Sequence, residues 1–334
     1  MTGIGDHAFM SLRSTEGNPI PEGIISDFMT AKDGLSIRYA RTTNHGAHGT
    51  VVLLQGRNES IEKYLETMVD LQAMGFSSVT FDWRGQGDSD RLLRNSTAGH
   101  IKSFDAYVRD LDQFFHDVVL PDCRPPYSIL AHSMGGLVAL LASPLLTNRI
   151  KRMVFLAPLI ELNEHMPQER IRLISSVWCL LGLGARHLPG TRYRGQLRNF
   201  AGNQATHDQR RFARNLEIAE THPDLTVGGP SAAWVRAACE AMRQVSRPEF
   251  MAANRLPILF LAAGSDAVVS SSGIERYARR IRSGHCLTID GARHELLQEA
   301  DIYREQALAA FKAFVAGRKS DSSPDEAPMD EPSL

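Results

Sequence analysis

The 334-residue chain lacks an excess of either charge: 37 Lys and Arg stand against 38 Asp and Glu, a formal net charge of -1. That balance removes any global electrostatic case for nucleic-acid binding, and no aromatic-interleaved basic stripe supplies a local one. Cysteine is scarce: Cys123, Cys179, Cys239 and Cys286 lie far apart and none forms a CxxC pair. This argues against a zinc ribbon, a thioredoxin-type motif and a disulfide scaffold, and leaves reduced, buried thiols as the expectation. Long apolar runs are missing as well. The most apolar one, ISSVWCLLGLG at 174–184, is about half of the roughly 20 residues that a membrane-spanning helix requires. The amino terminus has no basic start ahead of an apolar stretch, so no secretory signal is expected. No Walker loop, no GxGxxG after a strand and no HExxH or other metal-ligand spacing is found, so no cofactor and no metal is expected. A soluble, cytoplasmic protein is expected, with peripheral contact at the inner face of the membrane as the alternative.

What is present is ordinary globular composition, 43% hydrophobic and 22% charged, which calls for a packed core. Residues 1–23 read as a polar surface arm. Residues 318–334 are acidic and rich in Ser and Pro, with little to bury, and are expected to be disordered. Between them, short β-branched apolar runs alternate with helical patterns. Segments 25–30 and 35–41 flank Lys32-Asp33-Gly34, a hairpin signal. Strands at 50–55, 78–82, 127–131 and 152–156 are separated by helices at 61–75, 104–119 and 134–146. This rhythm predicts an α/β fold with a mostly parallel central sheet and helices on both faces. Residues 160–249 break the rhythm with helical spacing, and it resumes from Pro257 to a last helix ending at Ala316. One core, 24–159 with 250–317, carrying a helical insertion at 160–249, is the simplest organisation.

The chemistry concentrates at YSILAHSMGG, 127–136. An apolar strand runs into Ala131-His132-Ser133-Met134-Gly135-Gly136 and a helix starts at once, a near match to the G-x-S-x-G nucleophile elbow. Small residues two positions either side of the serine are needed because strand and helix backbones almost touch there. Ser133 is thereby lifted above the sheet at a helix N-terminus, where the N–H of Met134 can stabilise a developing oxyanion. A serine needs a base, and the base needs an orienting acid. Asp266 follows the strand ending at Ala263, and His294 follows the last strand. Either alone reads as a loop residue; the order Ser, acid, His at three strand ends is far more specific. The second oxyanion N–H is expected from Arg57, in the Gly56-Arg57-Asn58 loop after strand 50–55. His132 reads as a packing neighbour, and Asp82 and Arg84 as structural partners.

QGRNESIEKY, FDWRGQGDSD, AHSMGG, AAGSDAVV and GARHELLQE resemble the serine α/β-hydrolase superfamily, and within it the bacterial lysophospholipase and monoacylglycerol lipase branch. GGPSAAWVRAA in the insertion is similar to that branch too. The resemblance implies that Ser133 is the nucleophile, Asp266 the acid and His294 the base, with Arg57 and Met134 as oxyanion donors and the insertion as a lid over an acyl pocket. Gln55 stands where many members have His, and Ala131 where most have Gly. The implied reaction is cofactor-free hydrolysis of a lysophospholipid or monoacylglycerol ester. A general carboxylesterase on small esters and a catalytically inactive binding protein on the same fold are the alternatives. In the insertion, the apolar residues around Trp178 are expected either to pack the cap or, in part, to line the acyl pocket and, in part, to touch lipid. Arg192, Arg194 and Arg198 are expected either to be a solvated face or to meet a phosphate headgroup or anionic membrane.

Overall fold

The computed structural model describes residues 12–93, 97–163, 165, 167–188 and 199–316. Eight strands form one sheet: β1 (Ile24–Thr30), β2 (Ser36–Thr42), β3 (Thr50–Leu54), β4 (Ser77–Phe81), β5 (Tyr127–His132), β6 (Ile150–Leu156), β7 (Ile258–Ala263) and β8 (Gly284–Ile289). Their order is β1-β2-β4-β3-β5-β6-β7-β8. The β1–β2 hairpin and its junction with β4 are antiparallel; every other pairing is parallel. This is the α/β-hydrolase arrangement the sequence rhythm and the resemblance predict.

The helices are α1 (Leu65–Ala73), α2 (Asp105–Phe114), α3 (Leu120–Asp122), α4 (Met134–Leu146), α5 (Gln168–Leu180), α6 (Gln209–Thr221), α7 (Ala232–Val245), α8 (Pro248–Ala253), α9 (Ser271–Arg280) and α10 (Asp301–Ala316). A π-helical segment, Phe115–Val119, joins α2 to α3. The strands explain why two helical layers are needed. Every residue of β3, β4, β5 and β7 is buried, and successive side chains point to opposite faces. Val52 and Leu54 thus join a core with Leu111, Leu137 and Met242 of α2, α4 and α7. Val51 and Leu53 join another with Leu71 of α1 and Phe311 of α10.

The connection from β3 runs to β4 on one side, while β5, hydrogen-bonded to the other side of β3, leads on to β6. The loops after β3 and β5 therefore diverge at a topological switch point, where open α/β sheets form their binding crevice.

One expectation needs correction and one alternative is narrowed. Of the four thiols, all free, only Cys239 is buried; Cys286 is exposed on β8, which among the described residues is an edge strand. The apolar run at 174–184 does not simply pack inward: Leu180 is 87% exposed and Leu181 68%. Among the described residues, no helix is long and apolar enough to cross a membrane.

The basic segment of the insertion is also less free than its composition suggests. Arg211 and Arg214 of α6 both reach Glu66 of α1, at 2.6 and 2.5 Å, and so pin α6 to the core. Burial opposes the charge on Glu66, but the hydrogen bonds from these two arginines outweigh it and hold its pKa at about 2, below the usual 4.5. A depressed carboxylate pKa contributes stability that is present above the unfolded value and lost as pH falls through the folded one. Denaturant unfolding should therefore show Glu66→Gln less stable than the parent at neutral pH. The gap should close between about pH 4.5 and 2; a gap independent of pH would mean the ion pairs contribute nothing.

Candidate active site

The turn between β5 and α4 places Ser133 in a conformation few L-residues adopt, φ 49° and ψ -113°. Such strain persists only where surroundings enforce it, and here they do. The Ser133 N–H donates to the carbonyl of Leu156 at 3.0 Å, and its own carbonyl accepts from Gly136 N–H at 3.0 Å. A Cβ on Gly135 would lie 2.6 Å from the carbonyl oxygens of Leu54 and Gln55, and one on Gly136 would lie 2.8 Å from Pro158. The elbow therefore requires both glycines. Ala131 is wholly buried within β5, where its small side chain suffices.

His294 and Asp266 arrive from the loops after β8 and β7. His294 Nε2 lies 3.1 Å from Ser133 Oγ, and its Nδ1 lies 2.7 Å from Asp266 Oδ2. The other oxygen, Asp266 Oδ1, accepts from the N–H groups of Val268 and Val269 at 2.7 and 2.9 Å. Two backbone donors thus aim the second oxygen at the imidazole. All three residues are buried, Ser133 being 8% exposed. A proton can pass along this line without rearrangement.

Met134 is the first residue of α4, so its N–H has no acceptor within the helix. Arg57 stands across from it, and both line a cavity of about 430 Å³ together with Ser133. The Arg57 side chain donates from Nη1 to the carbonyl of Gly228 at 2.9 Å and lies over the Trp234 ring at 5.7 Å. The remaining wall is apolar: Leu159, Leu162, Ile171, Ile174, Leu188, Pro230, Trp234, Val235, Ala238, Cys239, Met242 and Val268. Helix α7 supplies five of these, of which Trp234, Val235 and Ala238 lie in the family-like segment GGPSAAWVRAA, while Cys239 and Met242 had only the helix composition as a signal. Trp178, by contrast, is half-buried against the main core and does not line this cavity. Arg192, Arg194 and Arg198 lie outside the described residues.

A second cavity of about 400 Å³ lies on the other side of Arg57 and is more polar. Asn58, Lys63, Asn203, Thr206, Asn215 and Glu295 contribute to its wall, with Phe212, Leu216 and Leu225. Asp82 and Arg84 are far from this chemistry in role. Asp82 is paired with Arg38 at 2.6 Å, and Arg84 with Asp110 at 2.5 Å and Asp33 at 2.7 Å.

Residues 45–301 match the family described as serine aminopeptidase, S33. The chain belongs to this family. Among curated relatives, lysophospholipase L2 of Escherichia coli (strain K12) is 34% identical over 311 residues, covering 88% of both chains. The probable lysophospholipase L2 of Haemophilus influenzae is 26% identical over 299 residues, covering 89% of this chain and 94% of its own. The solved structure of a soluble variant of monoglyceride lipase from Saccharomyces cerevisiae aligns with a TM-score of 0.68 at 20% identity, over 87% of this chain and 95% of that one. A carboxyl esterase from Bacillus coagulans aligns at 0.71 with 16% identity, over 89% and 99%. The branch indicated by the sequence motifs is thus the one in which this chain's relatives are found.

Proposed function

We propose that the protein is a serine hydrolase that cleaves the carboxylic ester of a single-chain lipid, a lysophospholipid first and a monoacylglycerol second, through an acyl-enzyme. The observation that carries this reading is the hydrogen-bonded Ser133–His294–Asp266 line opening on a cavity whose only charged wall residue, among the described residues, is Arg57. An aminopeptidase would need a carboxylate there to receive a substrate ammonium; an acyl chain needs an apolar wall. The name lysophospholipase L2 borne by the Escherichia coli relative, at 34% identity, supports the same reading.

In the proposed reaction Ser133 Oγ attacks the ester carbonyl carbon as His294 Nε2 takes its proton. Asp266 holds the imidazolium that forms, and the N–H groups of Arg57 and Met134 receive the oxyanion. Collapse breaks the bond to the alcohol, whose oxygen takes the proton from His294. Water, deprotonated by the same histidine, then releases the fatty acid. The acyl chain occupies the apolar cavity. The polar alcohol half is assigned to the second cavity, which Glu295, adjacent to the proton-donating histidine, helps to line.

The segment after β6 acts in this reading as a lid that meets a lipid surface. Leu173, Ile174, Val177, Leu180 and Leu181 are exposed on and just after α5, and Ile174 also lines the apolar cavity. The outer patch is therefore continuous with the cavity mouth, which suits a chain drawn from a membrane rather than from water.

Product analysis on lysophospholipid vesicles and on a soluble short ester tests both levels of the reading. Wild-type protein should release fatty acid from both. Leu180→Glu with Leu181→Glu should lower activity on vesicles by about tenfold or more relative to the soluble ester, since charge is costly within a lipid surface. Equal losses would remove the surface role, and no ester cleavage at all would remove the enzyme assignment.

A further inference from the structure

The carboxylate of Glu59 touches every working part of the proposed site at one remove. Its Oε2 accepts from the Gly56 N–H, which is next to Arg57 in the oxyanion loop, from Tyr64 OH at 2.5 Å, and from His132 Nδ1 at 3.3 Å. Its Oε1 accepts from Lys63 Nζ at 2.8 Å. His132 directly precedes Ser133, and its Nε2 lies 3.1 Å from the backbone carbonyl oxygen of His294. Both rings are buried, with centroids 4.9 Å apart.

The chemistry of these partners decides the state of the ring. A carbonyl oxygen only accepts, and an ionised carboxylate only accepts. A neutral imidazole would turn a lone pair toward one of them, leaving a buried acceptor pair unsatisfied at a cost of about 1–3 kcal/mol. With both nitrogens protonated, both contacts are donated hydrogen bonds.

We propose that Glu59 and His132 form a positioning pair: His132, carried as an imidazolium, ties the loop of His294 to the nucleophile elbow and, through Glu59, to the oxyanion loop. His132 touches neither substrate nor the reacting atoms; it acts through the main chain of His294. The charged groups facing it are consistent with this state. Glu59 comes from the oxyanion loop, Lys63 and Tyr64 from the 3-10 turn Ile61–Tyr64, and Glu295 from the loop after β8. Burial works against the charge on His132, but Glu59 outweighs it, Lys63 opposes and Glu295 assists, so its pKa is raised. Burial likewise resists the charge on Glu59, and Lys63 and His132 together hold it well below the usual carboxylate range.

This inference rests on the triad reading above, and pH profiles separate the two. An imidazolium with a raised pKa persists to higher pH than a free histidine and is lost as pH climbs through that value, so misalignment should show as an alkaline limb in kcat. In Glu59→Gln the burial penalty is no longer offset. The limb should move to lower pH by about one unit or more, and kcat near neutrality should fall about 10- to 100-fold with KM within about threefold. His132→Asn keeps one donor for the His294 carbonyl and has nothing to titrate. Combining it with Glu59→Gln should abolish the shift of the limb. A purely structural contact would lower activity without moving it.

A direct measurement holds even if Glu59→Gln does not fold. Nitrogen-15 spectra of the wild-type protein, assigned by loss of signal in His132→Asn, should show both His132 nitrogens still protonated above the ordinary histidine pKa of about 6.5. A bare nitrogen there, or superimposable alkaline limbs in wild type and Glu59→Gln, overturns the pair. Absence of ester hydrolysis in the wild type would instead overturn the triad reading.

Discussion

Ser133→Ala is expected to lower kcat on a soluble ester by about four orders of magnitude or more while the fold survives. The size follows from what the hydroxyl alone supplies. Ser133 Oγ is the group hydrogen-bonded to His294 Nε2 at 3.1 Å, whereas burial pushes the thiol of Cys239 in the same cavity up to about 11 and keeps it protonated. Alanine removes one oxygen and leaves the backbone at φ 49°, whose strain is held by the hydrogen bonds to Leu156 and from Gly136. The melting temperature should therefore stay within about 1–2 °C, since no buried contact other than that hydrogen bond is lost. His294→Ala should cost nearly as much, and the double variant little more, because residues that act as a unit lose their effect together. Turnover and thermal melts of the three variants decide this. Wild-type rates in Ser133→Ala would end the serine-hydrolase assignment.

The largest effect on stability is expected at a place with no part in the chemistry. Arg38 of β2 is 0% exposed, as are the side chains of Glu62 and Asp82. It bridges Glu62 at 2.8 Å and Asp82 at 2.6 Å. Asp82 in turn accepts from the N–H groups of Ile61 and Asp88 at 3.0 and 2.8 Å, fixing the two loops that follow β3 and β4. Arg38→Met fills the space but strands two carboxylates in the core. Breaking a buried ion network by removing one partner costs about 3–5 kcal/mol. For a chain of this size the melting temperature should fall by roughly 5–15 °C. Two controls identify the cause. The deficit should shrink at acid pH, where the stranded carboxylates protonate and cease to be charged. Arg38→Met with Glu62→Leu and Asp82→Asn should recover most of it, because complete replacement of a buried network by neutral groups is often tolerated. A deficit that ignores pH would point to packing rather than charge.

These two sites also mark how far the amino-acid order could be read. The elbow was legible because its requirement is local: a strand, a serine and two glycines must be consecutive for strand and helix to approach closely. The parallel sheet was legible for the same reason, since an unbroken apolar run such as TVVLL, buried at every residue, is a property of adjacent residues. The order of Ser133, Asp266 and His294 was visible because strand ends in this fold share one edge. Partnerships between distant residues were not visible. Glu62 and Asp82 lie in the segments QGRNESIEKY and FDWRGQGDSD, but nothing there names Arg38 as their partner, and the contact of Glu59 with His132 spans 73 positions. The sequence alone could place His132 beside the serine but could not say that it holds the base.

The insertion marks the other limit. Its apolar residues were countable, but periodicity says only that a helix has an apolar face, not whether anything covers it. Packing decided that α7 lines the cavity through Trp234, Val235 and Met242. It likewise decided that Leu180 and Leu181, in an equally apolar run, face outward. Local sequence determines which elements form and which faces are apolar, because backbone and side-chain periodicities reach only a few residues. Which apolar face is buried, and which charged groups meet, depends on surfaces brought together from across the chain, and those the tertiary structure alone decided.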